Sequence, residues 1–454
     1  MNLSSMLARR SAEGRPVRIG VIGAGKFAGM FLAQAVRTQG FHVAAIADLA
    51  PERARATLAR IGWEADRASA PSVEAGLKDG RTHLTDNAVA MIAHPAIEVV
   101  VEATGDPPAG IRHALAAIRA GKHIVMVNVE ADVVAGPLLA RRAAQAGVVY
   151  SLAYGDQPAL ICELVDWART AGFKVTAAGK GTRYHPSYHR STPDTVWEIL
   201  DRYLKIDDRA SINPKMFNSF VDGSKSGIEM TAVCNATGLL PQPEGLGFPP
   251  ATRFELAEIC KPRAAGGTLA HAGTTEVTSS VYRDGRDVPH HLALGVYVVV
   301  EGETEYVRRC FREYHMLPDS SARYSALYRP THLIGLELGI SVASAACRRE
   351  PTGCPTGFRS DVVACAKRPL KAGEILDGEG GFTVWGKQQP AAGSLAIGGL
   401  PLGLAHGVRL TRDIAEGALL RWDDVAIDPA LDAVKVRREM EAVFRQEGLP
   451  AAAE

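Results

Sequence analysis

The sequence predicts an α/β protein of three successive parts: a parallel-sheet domain, an α+β domain and a small β-rich domain. Three observations lead there. From Val17 to Tyr150, short β-branched runs alternate with longer helical ones, the pattern of βαβ units around a parallel sheet. After "VVYSLAYGDQP" that alternation stops. From about 355 the chain turns to short apolar runs separated by glycine turns, which is the pattern of a compact β-domain. The expected boundaries are 1–150, 151–350 and 355–430, with a closing helix and tail over 431–454.

Taken in order, "VRIGVIG" reads as a buried strand, "KFAGMFLAQAVRTQG" as a helix stopped by Gly40, and "HVAAIAD" as a second strand. "IEVVVEATG" and "HIVMVNVE" are further strands, with the helix "GIRHALAAIRAG" between them. "FKVTAAGK" reads as a strand in the second domain. Thr192 followed by Pro193 signals a helix start, with Val196, Ile199, Leu200 and Tyr203 at helical spacing. Asn213 and Pro214 signal another. The stretch 240–290 is rich in Pro and Gly and reads as loops over a small sheet, and "HHLALGVYVVVEG" returns as strand. "CAKRPLKAGEILDGEG" and "VRLTRDIAEGALLRWDDV" share a weak internal echo. "DAVKVRREMEAVFRQEG" closes the chain as an amphipathic helix.

Composition excludes several classes. The 454 residues are 46% hydrophobic and 22% charged, ordinary for globular domains. Lys and Arg number 51 against 50 acids, so no global charge draws the chain to nucleic acid or a membrane surface. Seven scattered cysteines with no C-x-x-C pair argue against a disulfide framework or zinc site and fit a reducing cytoplasm. No stretch approaches the roughly 20 apolar residues of a membrane span, and the N-terminus lacks a signal-peptide pattern.

"GVIGAGKFAG" sets Gly23, Gly25 and Ala28 in G-x-G-x-x-A spacing, directly after a strand and opening a helix at Lys26 and Phe27. The first glycine permits a tight turn and the second lets backbone amides approach a pyrophosphate. The small third residue lets the helix pack on the strand, and the helix N-terminus supplies partial positive charge. Asp48 ends the second strand, where a carboxylate accepts from both ribose hydroxyls and repels a 2′-phosphate. NAD is therefore expected over NADP, with Arg53 near enough to leave NADP open. Thr104, Gly105, Asn128 and Glu130 end later strands, where the nicotinamide half would rest.

Two polar features follow. The run "GKGTRYHPSYHRSTPDTVW" (179–197) gathers Lys180, Arg183, two histidines and two tyrosines, a set suited to an anionic or polyhydroxylated substrate. Lys180 ends a strand between Gly179 and Gly181, which lets a ligand approach closely. On the helix from Pro214, Asn218, Asp222, Lys225 and Glu229 fall within an arc of about 60°. That stripe is either a solvated helix face or one wall of a site.

"GAGKFAG", "VVVEATGDP", "GKHIVMVNVEADV", "GVVYSLAYGDQP", "AAGKG" and "FVDGSKSGIEMTAVCNATGL" together resemble homoserine-dehydrogenase-like oxidoreductases with a C-terminal SAF domain. The 1-deoxy-D-xylulose-5-phosphate reductoisomerase-like enzymes are among these. The resemblance implies a Rossmann domain, a catalytic α+β domain that forms the dimer, and a SAF domain matching 355–430. In two respects the chain departs from these relatives. The reductoisomerase-like enzymes use NADPH, which Asp48 does not suit. Asp222 and Lys225 stand three apart, where homoserine dehydrogenases place Asp and Lys four apart.

The expectation is a cytoplasmic, homo-oligomeric NAD(P)-dependent oxidoreductase (dimer or tetramer). Its substrate would be a small polyhydroxylated or phosphorylated hydroxy or carbonyl compound. Lys180 and Lys225 would line the pocket, one of them moving the proton on the substrate oxygen. Asp222 and Glu229 would orient Lys225 or hold substrate hydroxyls. In an isomerising version they would join Asp156 around a divalent metal, and metal dependence stays open. A non-catalytic NAD-responsive or carbohydrate-binding protein is the competing class.

Overall fold

The computed structural model describes residues 2–202 and 213–448. Tyr203, expected on the helix with Val196 and Leu200, lies outside them. The chain forms two compact units, Met1–Leu160 with Leu333–Thr356, and Ile161–His332 with Gly357–Glu454.

In the first unit, apolar runs too short and too β-branched for helices form six strands: β1 (Val17–Ile22), β2 (Phe41–Ala47), β3 (His83–Thr85), β4 (Val99–Glu102), β5 (His123–Met126) and β6 (Tyr150–Leu152). All pair in parallel, in the order β3-β2-β1-β4-β5-β6. The order reverses between β1 and β4, which makes their carboxyl ends the binding edge of the sheet. The expected division at 151 and 350 differs from this packing. The helix Gly339–Cys347 returns to the first unit because Leu338, Val342 and Ala343 join its core. Hydrogen bonds from Tyr154 N to Ser341 Oγ (2.8 Å) and from Leu152 N to Gly353 O (2.7 Å) fasten the returning segment.

The second unit holds a five-stranded sheet of β7 (Lys174–Thr182), β8 (Thr274–Ser279), β9 (Val296–Glu301), β10 (Leu317–Pro318) and β11 (Tyr324–Arg329), ordered β10-β11-β9-β7-β8. Only β7 and β8 are parallel within it. The expected loop region 240–290 thus contains an edge strand.

C-terminal to this sheet come β12 (Ser360–Ala366), β13 (Ile375–Asp377), β14 (Val384–Pro390), β15 (His406–Leu410) and β16 (Val425–Ala426). β12 pairs with β14, and β15 lies between β13 and β16. The sequence echo has a structural counterpart. Leu370 and Ile414 exchange backbone hydrogen bonds of 2.8 and 2.9 Å, while Gly373 N bonds Leu410 O and Gly417 N bonds Ala366 O. The matched positions keep one sequence offset, so the two segments meet as a pseudo-two-fold pair. The closing helix, Asp432–Glu447, is no loose tail: fully buried Arg437 meets Asp361 of β12 at 2.5 and 3.1 Å and Glu441 at 2.8 Å.

One helix, Ser224–Thr237, lies between the five-stranded sheet and the β12–β14 pair. Thr275 of β8 meets Cys234 Sγ on one side, and Ser224 Oγ accepts from Gly386 N of β14 on the other. A side chain at Gly227 would meet Gly386 O at 2.9 Å, so glycine permits this approach. The helix expected to run on from Pro214 is broken. Pro214–Val221 and Ser224–Thr237 are separated by Gly223 at φ 96°, a left-handed conformation that favours glycine. The helix near 192 is also shorter than expected, Val196–Leu200, with Thr195 at its N-cap.

Candidate active site and nucleotide loop

β1 runs straight into the glycine loop. Gly23 has φ 87°, and a side chain there would meet Ala103 O at 2.8 Å, so the turn requires glycine. Gly25 caps the helix Lys26–Ala35 and has open space where a side chain would project. The loop is therefore closed on the protein side and open where a pyrophosphate would approach the helix N-terminus. Lys26 is exposed and Phe27 half-buried at the first helical positions, while Ala28 packs into the core. Asp48 follows β2 with its carboxylate turned onto the loop: Oδ2 accepts from Ala24 N and Oδ1 from Ala50 N, both at 2.9 Å. Arg53 stands 3.8 Å away. These residues fit an adenosine dinucleotide.

The four later candidates separate. Thr104 and Gly105 are exposed on the loop after β4, with Gly105 at φ 70°. Glu130 is half-buried in the first turn of the helix Val129–Gln145. Asn128 is different: it is 1% exposed, caps that helix through Ala131 N (3.1 Å), and donates to Thr104 Oγ1 (3.3 Å) and Asp106 O (2.9 Å). It shapes the loop from beneath. Glu102, which the sequence reading passed over, lies under the same loop and accepts from Thr104 Oγ1 at 2.6 Å. A lone acid ending an otherwise apolar strand was the available signal.

In the second unit, Lys180 projects from β7 toward the helix Ser224–Thr237 and pairs with Glu229; both are buried. Glu229 is the ammonium's one hydrogen-bond partner among the described residues, which leaves two N–H donors for another acceptor. Lys225 is half-buried one turn before Glu229. Ser226, three residues before Glu229, is buried with its hydroxyl unpartnered among the described residues. The stripe is thus not a solvated face, and it also does not act as one set.

Asp222 is fully buried, and its carboxylate is already engaged by Lys367 Nζ (2.8 Å) and Ser224 N (2.8 Å). The expectation that it orients Lys225 is corrected: its partner is Lys367, a residue with no signal in its "CAKRP" context. Lys367 also donates to Ser191 O and Gly381 O, each at 2.7 Å. Asn218, likewise buried, bonds Ser191 O, Ser191 Oγ and Gly380 O. Asp156 accepts from Gln157 N at 2.8 Å, and no group of three metal-ligating side chains occurs among the described residues.

Several side chains of the polar run 179–197 are tied to distant parts of the second unit. Arg183 pairs with Asp287 at 2.8 Å and Arg190 Nε with Glu416 at 2.7 Å. His189 stacks on Trp385 with ring centroids 3.8 Å apart, and its Nδ1 meets Asp222 O at 2.7 Å. That carbonyl can only accept, so Nδ1 carries the proton and Nε2 accepts from Tyr184 OH at 2.9 Å. Burial lowers the His189 pKa and pushes the Tyr184 phenol up to about 12, keeping both neutral. Tyr184 stacks in turn on Phe248 (3.8 Å), whose loop is held by the buried carboxylate of Glu276.

Residues 17–128 match the family described as the oxidoreductase family with an NAD-binding Rossmann fold. Residues 155–338 match the catalytic domain of oxidoreductase DRL, and residues 361–426 the SAF domain. Successive parts of the chain thus match an NAD-binding Rossmann family, an oxidoreductase catalytic-domain family and the SAF domain. No curated protein matches it. Solved structures similar to part of it include an NAD-binding oxidoreductase from Klebsiella pneumoniae (18% identity, TM-score 0.27, covering 37% of this chain and 43% of that one). Others are myo-inositol dehydrogenase from Lactobacillus casei (16%, 0.27, covering 41% and 52%) and the WlbA dehydrogenase from Bordetella pertussis (19%, 0.27, covering 37% and 48%). The chain spans about half the length of these solved proteins or less.

Proposed function

We propose that this oxidoreductase interconverts an alcohol and a carbonyl on a small polyhydroxylated or phosphorylated compound. Lys180 would handle the proton on the substrate oxygen, and the cofactor, preferably NAD, would take or return the hydride. One observation carries the reading. Lys180 is a buried ammonium with a single acceptor among the described residues, Glu229, and spare donors in a place where water is largely excluded. An under-bonded buried charge is costly unless a ligand completes it. A substrate oxygen would supply the missing acceptor.

In the reductive direction the Lys180 ammonium gives a proton to the carbonyl oxygen as the hydride arrives at carbon, and is left as an amine that still donates to Glu229. The oxidative direction is the reverse and starts from that amine, which takes the hydroxyl proton as the C–H hydride leaves. Lys225, one turn from Glu229, would hold a second substrate oxygen or a phosphate. Asp222 serves position rather than chemistry, because Lys367 and Ser224 occupy its oxygens. NAD is preferred to NADP on the placement of Asp48.

The test is a screen of polyols, sugar acids and sugar phosphates, read by absorbance at the nicotinamide band with both nucleotides. A substrate whose turnover survives Lys180→Met intact would overturn the assignment.

A further inference from the structure

Glu102 is the last residue of β4, fully buried, and level with Ile22 of β1 and Met126 of β5. Its bonds all reach one oxygen. Oε1 takes Thr104 Oγ1 (2.6 Å), Thr104 N (3.4 Å) and His113 Nδ1 (3.2 Å), while Oε2 has no partner among the described residues. A carboxylate so placed is incompletely neutralised, and low polarity around it lengthens its electrostatic reach.

The sheet order gives this charge an address. A dinucleotide crosses the sheet edge where strand order reverses, between β1 and β4. Asp48 on β2 marks the adenosine side, so the end of β4 and its loop Thr104–Asp106 belong to the nicotinamide side. Oxidised nicotinamide is a cation and reduced nicotinamide is neutral. We propose that Glu102 sets the redox preference of cofactor binding, its buried carboxylate under the Thr104 loop favouring NAD⁺ over NADH. Glu102 is a positioning and electrostatic residue: it reaches the cofactor's surroundings through Thr104 and through its field.

The inference rests on the reading that this loop binds NAD. The experiment is titration of the full chain with NADH by nicotinamide fluorescence, and with NAD⁺ by displacement of NADH, giving the ratio of the two dissociation constants. Glu102→Gln keeps the shape and removes the charge, and should shift the ratio several-fold, up to about tenfold, toward NADH. His113→Lys leaves Glu102 in place and adds a fixed cation beside it, and should shift the ratio the same way. Thr104→Val breaks the loop contact without changing charge, and should weaken both nucleotides alike. A ratio that moves in either charge variant but not in Thr104→Val supports the proposal. A ratio unmoved in both charge variants, or moved as far by Thr104→Val, overturns it. If the unaltered protein binds neither nucleotide, the NAD reading itself fails.

Discussion

Two buried lysines in the second unit meet two acids seven residues apart, and they are bonded in opposite ways. Lys367 donates to Asp222, Ser191 O and Gly381 O, while Asp222 also takes Ser224 N, so that pair is closed. Lys180 has Glu229 alone among the described residues. A saturated buried ion pair ties segments together, because every donor already has its acceptor. An unsaturated one carries a desolvation penalty that protein contacts do not offset, and a ligand can offset it. The difference separates a structural lysine from a chemical one where burial and charge are nearly equal.

That contrast breaks first at turnover. Lys180→Met should lower kcat about 10² to 10⁴-fold, the usual worth of positioned proton transfer, with NADH affinity retained. Lys367→Met should act on stability instead. Leaving Asp222 buried and unpaired costs about 3–5 kcal/mol, read as a lower midpoint in urea. If Lys180→Met destabilises as much as Lys367→Met and leaves kcat intact, the bonding contrast says nothing about chemistry.

The sequence disclosed these two lysines unequally. Lys180 sat between glycines at the end of a strand, and close backbone approach is a local property that sequence shows. Lys367 acquires its meaning from three acceptors at 191, 222 and 381, partners that no period or motif relates. The same logic divides the fold. The parallel sheet was legible because each βαβ unit is local and its apolar runs are continuous. The return of Gly339–Cys347 to the first unit was not, since its apolar spacing would suit any core. The ties of the polar run 179–197 were not legible, because its partners, Asp287, Trp385 and Glu416, lie about 100 to 230 residues further on.

Asp132 extends the comparison to an acid that is only half bonded. It is fully buried, Tyr150 OH donates to Oδ1 at 2.9 Å, and Oδ2 has no partner among the described residues. Burial pushes its carboxyl up to about 7. The folded state then holds this proton more tightly than the unfolded chain. Its contribution is therefore fully present below about pH 4 and lost as pH rises through 7. Asp132→Asn should flatten that slope, removing a dependence of a few kcal/mol between about pH 4 and 7. Thermal melts of both proteins across that window measure it, and an unaltered slope would place the titration elsewhere.

Asp48 is the mildest case, a carboxylate 10% exposed whose oxygens each take one backbone amide, from Ala24 and Ala50, and keep lone pairs to spare. Those amides fix its direction without satisfying it, so ribose hydroxyls can complete the shell while a 2′-phosphate meets like charge. Asp48→Ser removes the repulsion and also loosens the glycine loop. Both nucleotides should therefore bind more weakly, and absolute affinity is the wrong measure. The informative quantity is the ratio of NADP(H) to NAD(H) dissociation constants, which should move about tenfold toward NADP(H), the scale of one partly screened charge. Arg53, 3.8 Å from the carboxylate and largely exposed, would then be released to meet the phosphate. Adding Arg53→Ala to Asp48→Ser should reverse part of the gain. If the ratio stays fixed in Asp48→Ser, the loop amides alone consume the carboxylate, and Asp48 joins Asp222 among the closed groups.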